Sequence, residues 1–395
     1  MPSSTPTPEA TGTVAGADHA ETRNDAPPAP PAPADLLREA ERLYEDDKLL
    51  AAARLLREAK AADAALLTDA HMSIIRVADD CEHFVASLKS PVDGGSDGSG
   101  DGWTKQGESH GSHDTAIYYR VDTDSAGCTN LTARVETTIQ PSLLVPLLSV
   151  LNETELYATW LPRWERPVRL GVTCSEKLNQ SGRASQTILI RTTSPWPMAE
   201  REVVLGAVAF DDIDCSGDIA VRLRSMGTDE KGSAAEEGID TPPPKRRAVR
   251  VVFDGGFLFR RCPPDHPVLS RRGSGANDID GSKRDGEDML LASFLMYLDS
   301  KVPFLPQTVI NFIVRTVIGK MWEKFLLVAD DVKEGRRPRH SDAIAAKREC
   351  LYNWVDERVD FMLTSRSNPE DTDDGSAAAA EAAAVDEEML RYLQC

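Results

Sequence analysis

Residues 290–332 read LLASFLMYLDSKVPFLPQTVINFIVRTVIGKMWEKFLLVADDV, the last long apolar stretch of this 395-residue chain. The first part, LLASFLMYLD, has a β-like composition, and Lys301-Val302-Pro303 is expected to end that strand. After Leu305-Pro306 the pattern predicts one long helix over residues 306–332. At 1.5 Å per residue that helix spans about 40 Å, more than a compact core of this size needs. We therefore expect a helix that closes over a sheet.

The predicted long helix has a wide apolar face and a narrower polar one. Its polar positions are Thr308, Asn311, Arg315, Gly319 and Glu323, and its apolar positions are Val309, Ile310, Ile313, Val317, Met321, Phe325 and Val328. Two interpretations stay open: an ordinary amphipathic helix on a filled core, or the wall of a cavity. Trp322 lies off this face and is expected at the helix flank or against a membrane.

Charge and cysteine usage limit the class of protein. The net charge of −19 argues against a general nucleic-acid binder, which needs clustered Lys and Arg. Two small basic clusters, residues 245–247 and 336–339, either contact anionic headgroups or are solvated loops. Seven scattered cysteines without a CxxC pair indicate a reducing compartment. Because we recognise no signal peptide or membrane span in the sequence, we expect a cytoplasmic protein that contacts membranes only peripherally.

The N-terminal part changes from disordered to helical composition. Residues 1–33 are rich in Pro, Ala and Thr and are expected to be disordered. Residues 34–89 form a helical segment, with helices predicted at 34–44, 49–67 and 69–89. The first two resemble one tetratricopeptide-type hairpin, which usually needs neighbouring repeats for stability. This segment is therefore either a brace on the main domain or a site for a protein partner.

In the middle of the chain, polar and apolar residues alternate as they do in β-strands. Together with the helices before and after it, this pattern predicts an α+β fold. Residues 141–164 are expected to form two short helices broken near Asn152. A further amphipathic helix is predicted over residues 341–363, followed by an acidic, Ala-rich tail at 364–395. Strands are predicted at 114–122, 131–139, 168–177, 187–193, 202–211, 219–225, 249–261 and 289–298. Runs of consecutive strands favour an antiparallel sheet.

Four stretches resemble a START domain, the steroidogenic-acute-regulatory-related lipid-transfer family. They are NETELYATWLPRW (152–164), PWPMAEREVVL (195–205), RAVRVVFDGGFLFRRCPP (247–264) and FLMYLDSKVPFLPQTVINFIVRTVIGKM (294–321). Their order and spacing place the START-like domain at residues 103–333. The resemblance implies a helix-grip fold, in which a curved antiparallel sheet wraps around the long C-terminal helix. It also implies a tunnel for one lipid or sterol, transient membrane contact and no cofactor.

Several polar and aromatic residues are candidate lipid contacts. Arg134 and Glu136 lie two apart on one strand and share a face, so they either orient a headgroup inside or form a surface pair. Arg191 has the same two alternatives. The resemblance places Tyr157 and Trp160 at the cavity border, with Trp160 in the core or against the ligand. On the closing helix the candidate lipid contacts are Ile310, Ile313, Val317 and Met321.

No catalytic or metal-binding residues are predicted. None of the seven histidines lies on a strand that faces the expected cavity, and His110 and His113 lack partner cysteines at metal spacing. The leading hypothesis is non-covalent lipid transfer. One alternative is a lipid-sensing regulator or scaffold whose N-terminal helices contact a partner. A second is a helix-grip enzyme of the cyclase type that uses Arg134 or Glu136.

Overall fold

In a computed structural model of the protein, the described residues are 31–92, 102–110, 113–123, 127–165, 169–194, 198–226, 241–264, 266, 289–303 and 307–364. The predictions for residues 1–30 and 365–395, for Pro-Trp-Pro at 195–197 and for Leu305-Pro306 concern residues outside this part. Among the described residues, no helix is both long and apolar enough to cross a membrane.

Among the described residues, three α-helices precede the first strand, two lie between the third and fourth strands, and the rest follow the last strand. The helices are α1 Pro33–Glu45, α2 Leu49–Ala62, α3 Asp69–Lys89, α4 Leu144–Asn152, α5 Tyr157–Trp160, α6 Gln307–Phe312, α7 Gly319–Lys333, α8 Pro338–Ala346 and α9 Asn353–Thr364. The strands are β1 Thr104–His110, β2 Asp114–Thr123, β3 Cys128–Ile139, β4 Arg163–Trp164, β5 Leu170–Ser181, β6 Ser185–Thr193, β7 Arg201–Asp211, β8 Ile219–Ser225, β9 Val249–Arg250, β10 Val252–Arg261 and β11 Leu290–Pro303.

The strands form one sheet in the order β1-β2-β3-β11-β10-β8-β7-β6-β5-β4. Every pairing along this path is antiparallel, and the two-residue β9 pairs in parallel with β7. The predicted antiparallel α+β class is therefore confirmed. Strands β1 and β4 were not predicted, because β1 has a polar sequence and β4 is only two residues long.

The last strand does not end at Lys301, as the sequence suggested. It continues to Pro303, which pairs with Cys128 after a register shift beyond Asp299. Lys301 has φ +52°, so the backbone makes an irregular step there and then rejoins the ladder. The predicted strand break is wrong because residues 300–302 interrupt the pairing with β3 without ending the strand.

Residues 307–333, called the closing helix below, join α6 and α7 through a π-helical stretch, Ile313–Ile318. Its buried side chains include Ile310, Val314, Ile318 and Trp322, in steps of four. A π turn holds more residues than an α turn, so the buried stripe differs from one calculated at a period of 3.6. Consequently Val309 and Met321, both assigned to the apolar face, are more than one-third exposed. The helix-grip arrangement itself is confirmed.

The sheet is covered on both faces. Val135 and Ile139 of β3 share one core cluster with Val314 and Trp322 of the closing helix. On the opposite face, Phe84 of α3 belongs to a second cluster, which combines Leu49, Leu50, Ala53, Ala78, Cys81 and Leu88 with Phe210, Ala220 and Leu258 of the sheet. The N-terminal helices thus pack as a brace on the domain.

The structure divides the single helix predicted for residues 341–363. It contains α8, a π-helical turn Arg348–Tyr352, and α9. We call residues 338–364 the C-terminal segment. Val359 and Met362 belong to the same core cluster as the closing helix, and Arg261 donates hydrogen bonds to the carbonyl oxygens of Met362 and Leu363. This segment therefore packs into the domain.

Candidate functional site

A cavity of about 100 Å³ lies between the sheet, α4 and the C-terminal segment. Its lining is mostly aliphatic and aromatic, with a few polar side chains, as in ligand pockets generally. The lining residues are Leu148, Leu151, Asn152, Tyr157, Arg183, Ala184, Gln186, Ile188, Ala207, Ala209, Phe210, Asp211, Ile219, Val221, Leu223, Phe257, Leu351, Tyr352, Trp354, Val355, Arg358 and Val359.

Strand periodicity produces the floor of the cavity. Alternate residues of a strand share a face, so Ile188, Ala207 and Val221 come to line the same space from three adjacent strands. Ala207 and Ala209 of β7 are small, and this leaves room above the centre of the floor. A larger side chain at either position would occupy that room.

Aromatic residues form one end of the cavity. The hydroxyl of Tyr157 donates a 2.7 Å hydrogen bond to the carbonyl oxygen of Leu151, and burial raises the pKa of Tyr157. The ring of Trp160 packs edge-on against Tyr157 and stacks on Phe325 of the closing helix, with centroids 6.1 Å apart. This end of the cavity is therefore rigid and uncharged.

A buried carboxylate attaches the first half of the C-terminal segment. Glu153 accepts hydrogen bonds from the Tyr352 hydroxyl at 2.7 Å and from Lys347 Nζ at 2.6 Å. Burial alone would raise the pKa of Glu153, but the hydrogen bonds from Lys347 and Tyr352 outweigh it and hold that pKa below its ordinary value. Glu153 therefore stays ionised and fixes Tyr352 over the cavity.

Two arginines attach the second half of the C-terminal segment at the rim of the cavity. Arg358 of α9 pairs with Asp211 of β7 and, at 3.3 Å, with Asp214. Arg183, between β5 and β6, lies 4.8 Å from the ring centroid of Trp354 in α9. The same Arg183 pairs at 2.8 Å with Asp46 and with Asp47, which follow α1. The outer wall is thus held by polar contacts at its rim and by the packing of Val359 and Met362 in the core.

The sequence-based candidates separate into two groups. Tyr157 lines the cavity and Trp160 lies beside it in the core. Of the closing-helix candidates, Ile310 is buried in the core, Ile313 packs against it, Val317 is half-buried and Met321 is 38% exposed. None of these four lines the cavity, whose outer wall comes from residues 351–359. The apolar stripe of those residues was visible in the sequence, but nothing local indicated where it packs.

Arg134 and Glu136 lie on the opposite face of the sheet. The Arg134 guanidinium donates to the carbonyl oxygens of Leu88 and Ser90 at the end of α3, and to Glu136 at 2.6 Å. Burial alone would raise the pKa of Glu136, but the hydrogen bond from His266 and the charge of Arg134 lower it to about 2. The pair joins α3 to the sheet. Its role in lipid binding stays a prediction that this location does not support.

Arg191 has a comparable position on the face away from the cavity. It pairs at 3.2 Å with Glu202, whose side chain is fully buried and also pairs with Arg250. Its proposed contact with a ligand likewise stays a prediction without geometric support.

Trp322 and the basic clusters also have protein partners. Trp322 is 5% exposed and donates from Nε1 to the Thr137 hydroxyl at 2.6 Å, so its assignment to the helix flank or a membrane is wrong. Arg336 and Arg337 pair with Asp331, and Lys245 with Glu200. In the part of the chain that the structure describes, no group of three or more His, Cys, Asp or Glu residues is arranged to hold a metal ion.

Comparison with known proteins gives structural likeness only. No family profile matches the chain, and no curated protein matches it. The chain is similar to human STARD10, at 14% identity, with 74% of this chain and 88% of that chain covered and a TM-score of 0.42. It is also similar to human StAR-related lipid transfer protein 5, at 14% identity, with 59% and 88% covered and a TM-score of 0.39.

A bacterial structure is similar at the same level. The STAR-related lipid transfer protein of Xanthomonas axonopodis (fragment 25–204) has 18% identity, with 58% of this chain and 99% of that chain covered and a TM-score of 0.38. These proteins are of the class that the four sequence stretches resemble. The strand order and the closing helix of this chain itself define its fold.

Proposed function

We propose that this protein binds one lipid-like molecule non-covalently in the cavity and carries it between membranes. The observation that carries this proposal is a mostly apolar cavity whose outer wall, the C-terminal segment, is held at its rim by polar contacts. Opening this wall breaks the rim contacts and also withdraws Val359 and Met362 from the core cluster.

A lipid needs a carrier protein because its apolar chain is unfavourable in water. Removing an alkyl chain from water is worth about 0.8 kcal/mol per CH₂, so a long chain leaves a membrane slowly without a protein that shields it. A wall of Ile188, Val221 and Leu351 provides that shielding. The cavity therefore suits the apolar part of a ligand.

The C-terminal segment is the gate in this proposal. Pockets for organic ligands usually have about 300–1,000 Å³, whereas this cavity has about 100 Å³. Entry of a lipid thus requires the outer wall to move. The sheet cannot supply this movement, since its strands are fixed by continuous ladders, so we assign it to residues 338–364.

The test combines binding with transfer. Full-length protein is titrated with a fluorescent alkyl-chain lipid, and transfer of the same lipid between liposomes is then followed. Ala207→Phe should fill the cavity and reduce both binding and transfer at least tenfold, and Ala209→Leu should act in the same direction. Ala61→Phe, on the exposed face of α2, is the matched control and should behave as wild type. Equal binding by wild type and Ala207→Phe would contradict the proposal.

One observation favours a second function, lipid sensing by a regulatory protein. Arg183 contacts the cavity, the α1–α2 turn and the C-terminal segment at once. Movement of the wall on ligand entry would therefore change the contacts that Arg183 makes with the N-terminal helices, where a partner could bind. Binding without transfer between liposomes, together with ligand-dependent protection of residues 33–62, would favour this function.

Catalysis in the cavity has less support than ligand binding. Among the described residues that line it, Asp211 is paired with Arg358 and the Tyr157 hydroxyl donates to a backbone carbonyl. General acid–base catalysis needs a group that is free to exchange a proton with a substrate. We therefore propose binding and not turnover.

A further inference from the structure

The side chain of Gln186 lines the cavity and carries a buried polar atom in need of a partner. Gln186 lies on β6 and is 9% exposed. Its Nε2 donates to the carbonyl oxygen of Asn152 at 3.4 Å. Its Oε1 has no hydrogen-bond partner among the residues that the structure describes. A buried acceptor left without a partner is costly, so such an atom usually has a hydrogen-bonding role.

The orientation of this amide follows from its neighbour. The carbonyl oxygen of Asn152 can only accept a hydrogen bond, so the NH₂ end of Gln186 must face it. Oε1 is then the end left for another partner. An acceptor at that point is complementary to an O–H or N–H donor.

Four further polar side chains of the cavity lining already have partners. The hydroxyls of Tyr157 and Tyr352 donate to the Leu151 carbonyl and to Glu153. Arg183 and Arg358, the two basic residues in the lining, are each paired with two aspartates. A phosphate group would have to displace one of these aspartates, whereas a neutral donor requires no such exchange.

We propose that Gln186 is the polar anchor of the cavity and that the ligand is a neutral lipid carrying a hydroxyl or N–H donor. The donor bonds to Oε1, and the apolar body fills the space over Ala207 and Val221. This inference rests on the proposed function, since it names the class of molecule that the same cavity takes.

Three probes with one chain length test the anchor on the full-length protein. They are 1-hexadecanol, its methyl ether and hexadecyl phosphate, each measured by displacement of a fluorescent alkyl probe. The alcohol should bind about tenfold more tightly than the ether, because only the alcohol can donate to Oε1. The alcohol should also bind more tightly than the phosphate. Equal affinities for alcohol and ether, or a preference for the phosphate, would overturn the anchor.

Two substitutions localise the effect. Gln186→Leu and Gln186→Met should bring the alcohol-to-ether ratio to about one, mainly by weakening alcohol binding. Gln180→Leu makes the same change at an exposed position and should keep the wild-type ratio. Because both probes are measured on one protein, a general loss of stability cannot produce this change in ratio. A ratio retained in Gln186→Met would overturn the anchor, and binding of none of the probes by wild type would contradict the proposed function itself.

Discussion

Among individual residues, the buried carboxylates of Glu136 and Glu153 have similar surroundings but hold different parts of the protein together. Glu136 joins α3 to the back of the sheet through Arg134, whereas Glu153 holds Tyr352 and Lys347 over the cavity. Both stay ionised despite burial because each has a cation and a further hydrogen-bond donor. The sequence pairs Arg134 with Glu136 by spacing, but it carries no comparable sign of the Glu153 contacts, whose partners lie almost 200 positions away.

Glu136→Gln should lower the free energy of unfolding by about 3 kcal/mol, since it leaves the buried Arg134 without its counter-charge. Urea unfolding at pH 7 measures this change. Glu200→Gln removes a carboxylate from the exposed pair with Lys245 and should cost less than about 1 kcal/mol. A Glu136→Gln protein as stable as Glu200→Gln would show that the buried pair does not hold α3 to the sheet.

His340 in α8 makes the stability of the protein depend on pH. Its ring is 2% exposed, and burial, with a further contribution from the charge of Arg337, lowers the pKa of His340. The unfolded chain therefore takes up a proton at a higher pH than the folded one. Stability should be highest above pH 6.5 and fall as the pH drops below that value.

Thermal unfolding at pH 7.5 and pH 5.5 measures this dependence. We expect a lower Tm at pH 5.5 in wild type, with each kcal/mol lost lowering Tm by about 2–4 °C. His340→Gln, which has no titrating group at this position, should show a smaller difference between the two pH values. An identical difference in both proteins would rule out His340 as its source.

The C-terminal segment is held in its position by polar contacts at the rim and by the packing of Val359 and Met362 in the core. Arg358→Gln removes the pairs with Asp211 and Asp214. Hydrogen bonds to charged groups contribute about 1.5–3 kcal/mol, so amide exchange in residues 338–364 should become roughly thirtyfold faster. Hydrogen–deuterium exchange resolved by peptide measures this directly.

Arg348→Gln is the matched control, because Arg348 pairs with Asp356 on the exposed surface of the same segment. Its exchange rates should stay close to those of wild type. Should both variants accelerate exchange equally, the rim contacts of Arg358 would not be what keeps the segment closed.

Strands and helices were predictable from the sequence where one periodicity persists. Strand β8 was predicted to the residue, and α3 likewise, because strand-like alternation marks the first and a helical spacing of apolar residues marks the second. The closing helix was predicted in place but only partly in orientation: Ile310, Phe325 and Val328 are buried as predicted. The helix also buries Val314 and Trp322, which the π-helical stretch brings onto the inner face. Local periodicity does not predict that effect.

The candidate site was less predictable than the fold. Tyr157 was found through its resemblance to a family motif, whereas Gln186 has no distinguishing pattern around it in the sequence. Its importance arises only when α4 brings the Asn152 carbonyl to one end of its amide. The outer wall was missed because the packing of residues 351–359 over β7 depends on contacts far apart in the chain.

In the molecule as a whole, the sheet separates the N-terminal helices from the cavity. The N-terminal helices brace one face through the Phe84 cluster, and the cavity lies on the other face beneath the C-terminal segment. Arg183 connects the two sides at the rim. The proposed function requires one wall of the cavity to move while the sheet stays fixed.

The central claim is that the cavity holds one lipid-like molecule. Native mass spectrometry of the full-length protein, mixed with 1-hexadecanol and then freed of excess ligand, tests it most directly. We predict one bound molecule per chain for wild type and for Ala61→Phe, and little or none for Ala207→Phe. Absence of a 1:1 complex in wild type, or an equal complex in Ala207→Phe, would contradict the claim.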